Sequence, residues 1–185
     1  MFRELLNHKI GTLIAHIAGE IEDLSMTKLL KLLYLIDETA YARTGAPITL
    51  FDYKIWKMEP VAEELYNELR NAQNIAFQGE ALNTDTYIRT EKRKGKDAGE
   101  QILIYPVTEP DLSIFSGYEI ELIQNIIDRF GSYTAMQLIH LLHEQNSLWH
   151  KAVQNHQPEQ NFKMYGSKSN HSIDFAELIQ HDPIL

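Results

Sequence analysis

The stretch from Met26 to Arg43 constrains this chain more than any other. Met26, Leu29, Leu30, Leu32, Leu33, Leu35, Ile36 and Ala40 recur at steps that cover most of a helix's circumference. A helix apolar nearly all round must sit centrally and pack on several neighbours. Lys28 and Lys31 are expected to pack their aliphatic stems and reach solvent with their charged heads. Ser25 is placed to cap the helix start, and Gly45 and Pro47 to end it.

Other helices are available to cover it. Phe2, Leu5, Leu6, Ile10, Leu13, Ile14 and Ile17 predict a helix over 2–19. Residues 48–60 read as extended or irregular. Pro60 then opens a short helix over 61–73, because proline is pre-set for a first helical turn, where Glu63 and Glu64 suit the helix dipole. The β-rich runs 86–91 and 101–107 predict a hairpin with a charged tip at 92–100. Further helices are expected over 117–130, 134–144 and 147–154, then a polar loop at 155–171 and a short helix over 173–180. The expected fold class is α+β, mainly α: a compact multi-helix domain with a small β-hairpin element. With 185 residues, 44% of them apolar, the chain can bury a substantial core.

Few residues point to chemistry. The absence of cysteine excludes a disulfide scaffold, a thiol nucleophile and any Cys-based metal site, and suits a reducing cytoplasm. His140 and His143 share a helical face, but no H-E-x-x-H motif is present, and no Gly-x-Ser-x-Gly elbow. We therefore expect no catalytic residue, no metal and no cofactor, and we expect His143 to act structurally beside Trp149. The longest apolar run, Leu29–Ile36, contains Lys31 and is too short to span a bilayer, so no membrane partner is expected. The N-terminus lacks the apolar core of a signal peptide.

Charge and aromatics point instead to binding. Seventeen basic and 26 acidic residues give a net charge of −9, which disfavours general nucleic-acid coating and favours basic protein partners. A local exception is the hairpin, where Arg89, Lys92, Arg93, Lys94 and Lys96 against Glu91, Asp97 and Glu100 leave +2 over residues 89–100. A DNA-binding regulator using the hairpin 86–107 as a wing is thus the alternative reading. Tyr87, Tyr105, Phe162 and Tyr165, in the hairpin and the polar loop, are the candidate partner-binding anchors.

Two stretches read together resemble a known family. The first is Lys28-Leu-Leu-Lys-Leu-Leu-Tyr34, followed by Gly45-Ala-Pro-Ile-Thr49, Tyr53-Lys-Ile-Trp56 and Pro60-Val61 with Glu64-Leu-Tyr66. The second is Ile139-His-Leu-Leu-His143-Glu144 with Trp149. This order is similar to the Panacea domain of SocA-like antitoxins and phage-associated proteins, over about residues 20–155. Where that family usually has Gly-Pro-Val, this chain has Glu59-Pro60-Val61.

The resemblance implies a mainly helical domain over 1–155, a C-terminal extension over 156–185 whose short helix packs on it, and no catalysis. It implies neutralisation of a co-encoded toxin by direct binding, with delivery of that toxin to an ATP-dependent protease as one mode. It also implies structural roles for Lys28, Leu29, Lys31, Leu32, Leu33, Tyr34, Trp56, Pro60, Val61, Glu64, Tyr66, His143 and Trp149.

Overall fold

In a computed structural model the chain is described at residues 1–56, 59–71, 82–94, 99–144, 147–156 and 169–179. It is α+β, mainly α. Two units form, one from Met1–Leu30 with Glu64–Ser132, the other from Lys31–Glu63 with the residues from Tyr133 onward.

The first unit is built on α1 (Phe2–Glu20), whose second half is buried nearly all round through Ile10, Gly11, Leu13, Ile14, Ile17 and Ala18. Two strands, β3 (Ile88–Lys94) and β4 (Glu100–Pro106), lie against it as the expected hairpin, in antiparallel register from Ile88 opposite Pro106 to Lys94 opposite Glu100. Ile88, Ile102, Leu103 and Ile104 are buried there. Pro106 falls at the strand end, where its missing N–H costs nothing. Leu24 accepts a hydrogen bond from the Ile104 amide at 2.9 Å, so the turn after α1 covers the free edge of β4.

Helix α3 (Glu63–Asn71) belongs mainly to the same unit. Its Glu68 accepts from the amides of Leu82 and Thr84 and from the Thr84 hydroxyl, fixing the returning chain ahead of β3. Helix α4 (Gly117–Phe130) starts on a reciprocal cap between Ser116 and Glu119 and buries Leu122, Ile123, Ile126, Ile127 and Phe130.

Helix α2 (Met26–Thr44) begins in the first unit, where Ser25 accepts from the Lys28 amide as its cap, and runs on into the second. There Leu32, Leu33, Tyr34 and Ile36 are fully buried. The strands β1 (Tyr53–Trp56) and β2 (Glu59–Ala62) pair antiparallel, followed later in the chain by α5 (Ala135–Leu142), α6 (Leu148–His156) and the one-turn α7 (Ala176–Ile179).

Three expectations are corrected. Pro60 and Val61 are strand rather than helix, and α3 starts only at Glu63. Pro60 faces Ile55, whose amide is directed away from β2 to the carbonyl of His171 at 2.8 Å. That pair of positions exchanges no ladder bond, so a residue without N–H fits. The helix expected over 173–180 starts only at Ala176, because the Ile173 amide bonds to the Tyr53 carbonyl and continues the small sheet, and Gln180 lies outside the described residues. Finally, Lys31 does not reach solvent: its side chain is fully buried and ion-paired with Glu59.

Candidate partner-binding site

Of the four aromatic anchors expected from the sequence, the structure describes two, and both are engaged with their own unit. The Tyr87 hydroxyl shares a 2.7 Å hydrogen bond with His8 Nδ1, and its ring lies so close to Gly11 that a Cβ there would overlap it. Only glycine permits that approach of helix to ring. Tyr105 receives a hydrogen bond from Arg93 at 2.8 Å, donates to Asp23 at 3.3 Å, and carries the Arg89 guanidinium over its face at 4.5 Å. Phe162 and Tyr165 lie outside the described residues.

The same contacts bear on the basic hairpin. Arg93 also pairs with Glu91 at 2.9 Å, Lys92 pairs with Glu100 at 3.2 Å, and Arg89 stands 3.9 Å from Glu91. Phosphate would have to displace carboxylates already in place. These pairs are solvent-exposed, and so contribute little to stability.

The motif residues divide between the two units. In the first, the Lys28 ammonium donates to the carbonyl of Gly131 at the C-terminal end of α4, a favourable place for a cation. Burial lowers its pKa. Glu64 pairs with Arg3 at 3.5 Å, Arg70 donates to the Tyr66 hydroxyl at 2.5 Å, and Leu29 is fully buried.

In the second unit they converge. Leu32, Leu33 and Val61 are wholly buried. His143 lies parallel to Trp149, with ring centroids 4.1 Å apart and planes 5° off, and the Trp149 indole donates to the Trp56 carbonyl at 3.3 Å. Tyr34 meets Tyr53 edge-on at 5.2 Å, and Phe175 closes the cluster against Tyr34, Tyr41 and Tyr53.

Through Tyr53 and Tyr34 this aromatic cluster joins a polar one. Asp37 is fully buried, yet its carboxylate accepts from the amides of Ile48 and Thr49 at 2.7 and 2.9 Å, from the Thr49 hydroxyl, and from the Tyr53 hydroxyl at 2.8 Å. Burial raises its pKa, while the donors from Thr49, Tyr53 and Ile48 pull the other way. Tyr34 donates to Glu38 at 3.1 Å, and burial pushes Glu38 up to about 6. Burial likewise pushes the Lys31 ammonium down to about 7.

The sequence gives no role to Asp37 or Phe175, and names Thr49 only as the end of the Gly45-Ala-Pro-Ile-Thr49 motif. The available signal for Asp37 was its place directly after the apolar run Leu32–Ile36, since an acid buried there needs donors from elsewhere. Nothing local marked Phe175. Among the described residues no three His, Asp or Glu side chains are grouped to hold a metal ion, and no helix is long and apolar enough to cross a membrane.

The family model of the antitoxin SocA-like Panacea domain matches residues 29–150. No curated protein and no solved structure matches the chain.

Proposed function

The chain belongs to the family of SocA-like antitoxins through its Panacea domain, and from that premise we propose that it neutralises a co-encoded toxin by direct protein–protein binding. The observation that carries this reading is the family match across 29–150, which takes in the apolar helix and the His143–Trp149 end of the motif together. The net charge of −9 favours a basic partner and works against nucleic acid. Glu91 and Glu100, beside Arg93 and Lys92, offset their positive charge and so weaken the hairpin as a DNA wing.

In this reading the chain is a binding protein in the cytoplasm and not an enzyme. The antitoxin domain spans 1–155, residues 156–185 form an extension, and Tyr87, Tyr105, Phe162 and Tyr165 contribute to partner contact. Two modes are open to it, capping the toxin or handing it to an ATP-dependent protease. Co-expression with the neighbouring reading frame tests the reading. That frame should be toxic alone and harmless with the wild-type chain, and a harmless neighbour would refute it. A toxin half-life shortened by the chain only in cells that retain the protease would select the adaptor mode.

A further inference from the structure

Leu50 combines two features that seldom coincide. Its φ is +59°, in the left-handed region that crowds the Cβ of an L-residue. The residue is also 51% exposed. The other non-glycine residues with positive φ among those described are Asp23 and Asn83, types that tolerate this conformation. A leucine there serves neither the backbone nor solubility.

Its neighbours account for how it is held. Thr49 and Phe51 on either side are buried, at 1% and 5% exposure. Thr49 is bound to Asp37 through both its amide and its hydroxyl. The Phe51 amide donates back to the Thr49 hydroxyl at 3.3 Å, and the Phe51 ring meets Tyr53 edge-on. The buried Asp37 therefore anchors the backbone before Leu50, and the aromatic cluster anchors it after. A backbone fixed in this way loses little further freedom on binding. Strain kept in place by surrounding structure is characteristic of contact and switch positions.

We propose that Leu50 is a preorganised contact residue, held outward by the Asp37 clamp to enter an apolar pocket on the co-encoded toxin. The inference rests on the antitoxin reading above and adds a surface to it. Asp52, two residues on, is paired with Lys54 at 2.6 Å, so this neighbouring pair adds no net charge. Longer-range attraction comes from the net charge of −9, which calls for a basic surround to the pocket.

The test uses the full chain and the purified product of the neighbouring reading frame, with calorimetric Kd and thermal melting for wild type, Leu50→Asn and Leu50→Met. Asparagine accepts the left-handed backbone, so Leu50→Asn should melt at the wild-type temperature or above it. Its Kd should weaken by about tenfold or more. Leu50→Met keeps an apolar side chain of similar volume and should stay within about threefold of wild type. Failure of the wild-type chain to bind overturns the antitoxin reading itself. Wild-type binding with an unchanged Kd for a well-folded Leu50→Asn overturns the role of Leu50 alone. A marked loss of melting temperature in Leu50→Asn also overturns it, because the leucine would then serve its own fold.

Discussion

The ammonium of Lys31 is shut off from solvent and meets the carboxylate of Glu59, the residue that stands where the family resemblance leads one to expect glycine. Helix α2 supplies the cation and the β1–β2 hairpin the anion. A buried charge without a partner is far more costly than a buried pair. The pair thus ties the hairpin to the helix and explains how this chain accommodates glutamate at position 59.

Removing one partner should therefore hurt more than removing both. Lys31→Met leaves Glu59 largely buried beside an apolar side chain, and should cost about 3–5 kcal/mol. Adding Glu59→Gln should recover much of that loss. Urea denaturation of the two single variants and the double variant at pH 6, where Lys31 keeps its proton in the fold, measures the coupling. Additive losses would refute the pairing.

Lys31 should also make stability depend on pH. In the unfolded chain it keeps its proton up to its ordinary value of 10.5, whereas in the fold it releases it near 7. Between those values the unfolded state binds more protons, so this group's contribution to stability rises with pH. The gain is at most about 1.4 kcal/mol per pH unit. From pH 7.5 to 9.5 the wild-type urea midpoint should climb relative to Lys31→Met. The window stops below 10 because Tyr34 and Tyr53, whose pKa values burial raises, act in the opposite sense at higher pH. Parallel midpoints for the two proteins would rule out a depressed Lys31.

Leu33 has no solvent exposure on the most enclosed part of α2. Leu33→Ala should lower stability by about 2–5 kcal/mol, the cost of lost burial plus a cavity. A loss below about 1 kcal/mol in chemical denaturation would place this side chain outside the core.

Gly11 and Tyr87 should be coupled in sign. Gly11→Ala in the middle of a helix ordinarily stabilises by about 1 kcal/mol. Here the new Cβ would strike the Tyr87 ring, so the substitution should destabilise by about 1–3 kcal/mol and break the His8–Tyr87 hydrogen bond. In a Tyr87→Ala background the same change should turn neutral or stabilising. Thermal melts of the four proteins decide it.

What could be read along the chain was what depends on residues within a turn or two of each other. Helix α4 begins and ends where the sequence places it, because Ser116 and Glu119 cap each other locally and its apolar face repeats at helical steps. The near-all-round apolar α2, its Ser25 cap and the β3–β4 hairpin were legible for the same reason. The motif that carried the family resemblance was legible as well, since it is itself an order of residues along the chain.

What tertiary structure alone decided involves partners far apart in sequence. Pro60 offered a local helix-start signal, but pairing with β1, and the turning of the Ile55 amide towards His171, made it strand. Lys31 looked like a lysine that reaches water until the hairpin brought Glu59 over it. The buried Asp37, the aromatic contact with Phe175 and the outward-facing Leu50 have the same origin. Period and capping energies are local, whereas desolvation and its compensation depend on which distant groups the completed fold brings within hydrogen-bond range.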